Sequence, residues 1–355
     1  LYYERDPEVP DKTYSKIGGW ITDFEFDRRW HRIPPLVVQN MDSAQLMAMD
    51  TAKQALESAG YLEGDDFDDS FDNENCAVIL GNTLCGEQRD WTNLRVHYPE
   101  FEMDARKALM EKASGKLSQP EIEELLDEME GRFKGRFNDI NEDSMPGELP
   151  NVVAGRVAAT LNLRGPNYVT DAACASSLAS VVQAVRGLRD HRWNVAVSGG
   201  VDRFMGPSAF VKFCKIGALS PDGSRPFDAN ANGFVMGEGC GMLVLKRLED
   251  AVENDDDIYA VIRGVGGSSD GAGKGITAPN TIVQELAIKR AYEDAGYGPR
   301  SVSLVEAHGT STPVGDPTEF KSTAAVFNED NGPQATDSIG YGSVKSMVGH
   351  LKAGA

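Results

Sequence analysis

Val169-Thr-Asp-Ala-Ala-Cys-Ala-Ser-Ser-Leu178 places one cysteine, Cys174, where an extended apolar approach gives way to small residues that open a helix. Leu178, Val181, Val182, Val185 and Leu188 then recur at helical spacing, which makes a face wide enough to pack on a sheet. A sulfur at a helix amino end meets unpaired N–H groups and the positive end of the helix dipole, and both favour thiolate. Cys174 is therefore a candidate nucleophile. The alternative is a small buried hydrophobe in a tight helix start, and the flanking alanines and serines argue against it because they leave room for a substrate.

Outward from this stretch, strands and helices alternate. Cys76-Ala-Val-Ile-Leu80 and Asn194-Val-Ala-Val-Ser198 are short buried strands. Asp42 caps a helix with its apolar stripe at Leu46, Met49, Ala52, Ala55 and Leu56, closed by Gly60, and a further helix spans Pro150 to Leu161. Gly233 to Leu245 reads as a strand pair after an Asn232-Gly233 turn. A second series follows: strand Tyr259 to Val265, helix Thr281 to Ala295, strand Val302 to Ala307, helix Pro317 to Phe327, strand Ile339 to Val344. Such alternation predicts an α/β fold with a mostly parallel sheet, and the likeness of the two series predicts a duplicated unit with its site between the halves. Leu1 to Pro35 reads as irregular structure, Glu63 to Glu74 as a solvated acidic loop, and Phe101 to Phe137 as one or two amphipathic surface helices, with partner docking as their alternative role.

The 355 residues carry a formal charge of -20, so no basic face is available to release counterions from a nucleic-acid backbone. No apolar run reaches the roughly 18 residues of a membrane span. Five cysteines in a long chain, without C-x-x-C spacing, point to free thiols in a reducing compartment, the cytosol.

Two of the five histidines follow predicted strands in glycine-flanked segments: His308 in Glu306-Ala-His-Gly-Thr-Ser-Thr312, and His350 in Gly342-Ser-Val-Lys-Ser-Met-Val-Gly-His350. Two histidines at matching strand ends, together with a helix-start cysteine, favour chemistry over packing. Metal binding competes, but no acidic or cysteine ligand sits at short helical spacing from either, and no metal is expected. In Gly315-Asp-Pro-Thr-Glu319, Asp316 reads as an N-cap with Glu319 closing a capping box. Lys345 is the one lysine between Gly342 and His350.

Asp171-Ala-Ala-Cys-Ala-Ser-Ser177, Glu306-Ala-His-Gly-Thr310 with Gly315-Asp-Pro-Thr-Glu319, and Gly342-Ser-Val-Lys-Ser346 with Gly349-His350 together resemble the nucleophile segment and the two histidine segments of β-ketoacyl synthases. Pro226-Phe-Asp228 and Gly233-Phe-Val-Met-Gly-Glu-Gly239 add to the resemblance, which runs from about Pro34 to Ala355. Ile33-Pro-Pro35, Met41-Asp42 and the approach Glu142 to Arg156 are most similar to the type I enzymes of polyunsaturated fatty-acid and polyketide synthases. Asn230, Asn232 and Met347 depart from the common residues of the family.

The resemblance implies a thiolase-like fold of five α-β-α-β-α layers, truncated at both ends, in two ketosynthase halves at 1–253 and 254–355, the first with a helical insertion at about 100–140. It implies that Cys174 holds an acyl group and that His308 and His350 stabilise the enolate of a decarboxylated malonyl group. It further implies that Lys345 orients and polarises the site, with Glu319 as its partner, and that Thr310 and Thr312 hydrogen-bond the pantetheine arm. Phe210, with Met205 and Phe213, shapes an acyl tunnel. The implied substrates arrive on the phosphopantetheine of an acyl carrier protein, with no permanently bound cofactor, inside a multidomain synthase that forms a homodimer. Arg186, Arg189 and Arg192 offer the carrier a local basic patch. A non-catalytic chain-length-factor-like partner is the rival inside the fold, and a carrier-docking module the rival outside it.

Overall fold

A computed structural model describes residues 1–355 except 65, 70, 114, 273–274, 276, 330–331, 333–334 and 336, so parts of the expected acidic loop and of the helical insertion lie outside the described residues. The elements that position the site are, in chain order, α1 (Ser43–Ser58), β1 (Cys76–Gly81), α2 (Tyr98–Lys112), α3 (Gln119–Lys134), α4 (Pro150–Thr160), β2 (Asn167–Thr170), α5 (Ser176–Arg189), β3 (Val195–Asp202), α6 (Pro207–Lys215), β4 (Met236–Gly237), β5 (Gly239–Lys246), α7 (Thr281–Ala295), β6 (Leu304–Glu306), α8 (Gly315–Glu329), β7 (Gly340–Gly342) and α9 (Lys345–Val348).

One sheet has the strand order β2-β1-β3-β5, parallel except for β5, which runs antiparallel to β3. The central strands β1 and β3 are buried throughout because both faces are covered. Cys76, Val78 and Leu80 join the large core made with α1 and α4, whereas Ala77 and Ile79 meet Ala184, Leu188 and Trp193 on the α5 side. Asp42 caps α1 as expected and accepts the Ala44 amide at 2.8 Å. The expected amphipathic surface segment is a pair of packed helices, α2 and α3, and Ser118 with Glu121 forms a capping box at the start of α3.

In the second series α7 packs on α8, and β6 pairs in parallel with β7. Three expectations need correction. Residues 259–265 form no strand: the β6–β7 pair offers them no ladder among the described residues, and side chains hold the backbone instead, with Asp294 accepting the Val265 amide at 2.7 Å. Gly233 to Leu245 is not a hairpin either, since β5 pairs with β3 while β4 pairs with Gly18–Gly19. Asp316 is not an N-cap, because α8 starts at Gly315, whose amide is accepted by the Thr312 hydroxyl at 3.0 Å, and Asp316 instead accepts the Phe227 amide at 2.6 Å.

Glycine lets the cysteine turn approach the sheet. A Cβ at Gly81 would lie 2.4 Å from the carbonyl carbon of Ser176, at the first turn of α5, and one at Gly200 would lie 2.7 Å from Cβ of Ser177. Gly81→Ala should therefore destabilise the protein by about 1–3 kcal/mol through overpacking against backbone that cannot yield. Gly241→Ala, where a Cβ meets nothing within 4 Å, should shift stability by less than about 0.5 kcal/mol. Urea midpoints of the two variants compare them directly.

Candidate active site

Three loops converge beyond the strand ends. The first leaves β2 and carries Cys174 in a single 3₁₀ turn, Ala173–Ala175, ahead of α5. Ala173 has a φ of 50°, a left-handed conformation that is costly for a residue with a Cβ. Ser176 holds the turn by accepting the Ala172 amide at 2.9 Å and donating to the Ala173 carbonyl at 2.6 Å. The second loop follows β6 and carries His308, whose amide reaches Glu319 Oε1 at 2.6 Å while the Gly309 amide reaches Oε2 at 2.9 Å. The third follows β7 and α9 and carries His350, pinned by its amide to the Val235 carbonyl at 2.8 Å and by its carbonyl to the Gly237 amide at 2.9 Å.

The result is a cluster: the Cys174 sulfur and one ring nitrogen each from His308 and His350 all lie within 4.8 Å of one another. The two imidazoles meet edge to face with centroids 5.2 Å apart, and Phe234 lies 4.8 Å from the His350 ring. His350 is fully buried, Cys174 is half-buried, and His308 is exposed at its surface although much protein surrounds its ring.

Burial dominates the electrostatics. It pushes the Cys174 thiol above its ordinary value, with the Lys345 cation opposing, whereas a helix start by itself favours thiolate. The sulfur sits in the 3₁₀ turn ahead of α5 rather than inside the first turn of the long helix. His350 is held well below its ordinary value by burial first and then by His308, Lys345 and Lys352. His308 is held low, to about 4, by the protein packed around it and by Lys345. Both imidazoles are therefore neutral at pH 7. Lys345 is buried and is itself pushed down by desolvation, against the pull of Glu306, Glu319 and Cys174.

The tautomer of His350 decides what the cluster can do. Its Nδ1 accepts the Lys352 amide at 3.0 Å, which puts the proton of the neutral ring on Nε2, and that buried Nε2 has no partner among the described residues. As a metal ligand Nε2 would need the opposite tautomer, with an N–H at Nδ1 facing the Lys352 N–H. Cysteine and histidine are suitable zinc donors, but this set is arranged as a nucleophile beside a hydrogen-bond donor and does not fit a metal.

Of the other expected residues, Glu319 spends its oxygens on the His308 and Gly309 amides, and among the described residues no ion pair joins it to Lys345. Thr310 and Thr312 share a hydroxyl contact of 3.2 Å on the His308 loop. Phe210, on α6, is buried in the core group that includes Phe234 and stacks on Trp20. Sequence reasoning missed Phe234, Glu306, Asp202 and Lys352. Glu306 accepts the Val344 amide at 2.8 Å, and Asp202 pairs with Lys352 at 2.9 Å. A charged residue closing an otherwise apolar strand, as Asp202 does, was the available signal.

The family model for the N-terminal domain of beta-ketoacyl synthase matches residues 1–251, and that for the C-terminal domain matches residues 259–355. The chain belongs to the β-ketoacyl synthase family. It is 37% identical over 355 residues to a polyunsaturated fatty acid synthase polypeptide of Thraustochytrium sp., covering 99% of this chain and 12% of that protein. It is 35% identical over 356 residues to a phenolphthiocerol/phthiocerol polyketide synthase polypeptide of Mycobacterium tuberculosis, covering 100% of this chain and 17% of the relative. The ketosynthase from module 6 of the bacillaene synthase of Bacillus subtilis 168 superposes with a TM-score of 0.76 at 31% identity, covering 100% of this chain and 51% of that one. An oxazolomycin ketosynthase domain of Streptomyces albus JA3453 gives 0.78 at 29% identity, over 100% and 53%. The chain thus spans less than a fifth of these two synthase polypeptides and about half of the solved ketosynthases, and its fold is the thiolase-like α/β fold. Among the described residues no helix of this β-ketoacyl synthase chain is long and apolar enough to cross a membrane.

Alkylation of Cys174 by iodoacetamide should keep accelerating above pH 8.5, because a raised thiol pKa moves the thiolate midpoint upward. Lys345→Ala should move that midpoint higher still by removing the opposing cation. Mass spectrometry of the Cys174 peptide against pH reads both, and a midpoint below pH 8 would contradict the dominance of burial.

Proposed function

We propose that this chain catalyses decarboxylative Claisen condensation, joining an acyl group held on Cys174 to a malonyl unit to give a β-ketoacyl thioester. The observation that carries the proposal is the 4.8 Å cluster of sulfur and two neutral imidazoles, with a buried, unpartnered Nε2–H on His350. The nucleophile comes from a first half, 1–253, and both histidines from a second, 254–355.

In the first step the Cys174 sulfur attacks an acyl thioester delivered on the phosphopantetheine of an acyl carrier protein. The thiol proton passes through solvent to the departing pantetheine sulfur, so Cys174 ends as a thioester and the pantetheine as a thiol. A malonyl carrier then enters. Loss of carbon dioxide leaves an enolate, and N–H groups of neutral imidazoles stabilise its oxygen, the kind of help worth several kcal/mol in a water-poor site. The enolate carbon attacks the acyl carbonyl, the bond to Cys174 breaks, and the thiolate takes a proton from solvent.

The carboxyl group leaves as carbon dioxide, so no base is required. A non-decarboxylating thiolase would need a second cysteine as base. Cys214 instead contacts Thr13 at 3.1 Å, and Cys240, pushed up to about 12 by burial, faces the α1 core. Cys174 itself argues against a non-catalytic chain-length-factor role. Lys345 supplies the cation that favours thiolate character and neutral imidazoles. Thr310 and Thr312 bind the pantetheine arm, and Phe210 with Met205 borders the acyl chain. The working protein is a homodimer within a multidomain cytoplasmic synthase. The carrier patch is partly neutralised, since Arg189 is already paired with Asp294 at 2.8 Å.

Incubation with an acyl carrier thioester should give a mass-spectrometric adduct on Cys174 that is absent from Cys174→Ala. His308→Ala should lower malonyl decarboxylation by about 10²-fold or more while reducing the extent of self-acylation far less. No adduct on the wild-type cysteine, or an adduct persisting in Cys174→Ala, would remove the proposal.

A further inference from the structure

Just behind His350 lies a buried ion pair that the chemistry above does not use. Asp202 closes β3, and its Oδ1 accepts Lys352 Nζ at 2.9 Å and the Phe204 amide at 2.9 Å, while Oδ2 lies 3.4 Å from the Ala353 amide. Lys352 Nζ also donates to the Gly237 carbonyl at 2.9 Å and lies 3.7 Å from the Met205 sulfur. The Gly237 amide in turn holds the His350 carbonyl, and the Lys352 amide holds His350 Nδ1. The charges are 1% and 6% exposed and His350 is 0% exposed, so the closed circuit from β3 through Lys352 and β4 to the imidazole is dry.

We infer that the Asp202–Lys352 pair is a positioning device for His350: it fixes the Lys352 backbone where its amide selects the donor tautomer and aims Nε2–H into the site. Two features carry this. Lys352 has a φ of 53°, a sparsely populated conformation for a side chain with a Cβ, which persists only where surroundings over-determine it. The ion pair and the Gly237 bond supply that constraint. Moreover, a buried pair is a poor source of stability, because desolvation offsets most of its attraction; two buried charges are better explained by geometry than by adhesion. The Cys174 turn packs against the Lys352 segment but is held by its own bonds to Ser176, and Asp202 and Lys352 act on the thiol in opposite directions, so the device acts on the histidine side of the reaction.

This inference rests on the condensation reading, and the experiment separates the two. Removing one charge strands the other, so the informative variant is the neutral double Asp202→Asn/Lys352→Met, with Lys352→Arg as the conservative control. In the double variant, with a cooperative thermal transition retained, kcat for malonyl carrier decarboxylation should fall about tenfold or more, with KM within about twofold and Cys174 self-acylation within about threefold. Lys352→Arg, which keeps the cation and its pairing, should recover at least about half of the wild-type kcat. An unchanged kcat, equal losses of acylation and decarboxylation, a double variant without a folded transition, or an arginine variant as impaired as the double one would each overturn the positioning role. Wild type that acylates but does not decarboxylate would overturn the condensation reading itself.

Discussion

Helix α5 starts directly over the ends of β1 and β3 because nothing protrudes there: at Gly81 and Gly200 an added Cβ would fall inside contact distance of Ser176 and Ser177. That close approach sets the height of the Cys174 turn above the sheet. It also lets the segment after His350 reach the same place, since a Cβ at Gly200 would lie 2.7 Å from the Ala353 carbonyl oxygen as well. Two segments far apart in sequence thus meet at one strand end, and the sulfur and the imidazole meet with them. The site is a consequence of sheet-end packing before it is a matter of residue identity.

Once the groups are gathered, the protein packed around them governs their ionisation. Burial moves the thiol up and both imidazoles and Lys345 down, so every group in the cluster is pressed toward its neutral form. The directions are mutually consistent. A lysine beside neutral histidines disfavours a second cation there, and the same lysine favours negative charge on the sulfur. A helix-start explanation of the thiol alone misses this, because it considers one backbone dipole and leaves out the solvent that has been removed.

What was legible in the sequence follows the same division. Continuous apolar runs announced β1 and β3, periodic stripes announced α1 and α5, and short motifs announced Cys174, His308 and His350, because each is a local signal. Residues 259–265 looked like a strand, yet strand formation needs a neighbour, and neighbours are not written locally. Asp316 and Glu319 looked like the two ends of one capping box, whereas the first serves the Phe227 backbone and the second serves the loop of His308. The Asp202–Lys352 pair was invisible for a related reason: each residue alone is an ordinary charge, and only the fold makes them partners.

The carboxylates around the site show why two neutral imidazoles can suffice. Glu319 accepts the His308 and Gly309 amides, Glu306 accepts the Val344 amide beside Lys345, and Asp202 accepts Lys352 together with the Phe204 amide. Each negative group that could have acted as a base is occupied in holding backbone in place, and each holds a segment that presents a histidine or the lysine. A carboxylate whose oxygens are committed to backbone and ammonium donors in this way serves as a clamp. The chemistry that fits such a site starts from a substrate that carries its own departing carboxylate, so that the protein need supply only N–H donors and a sulfur at fixed positions.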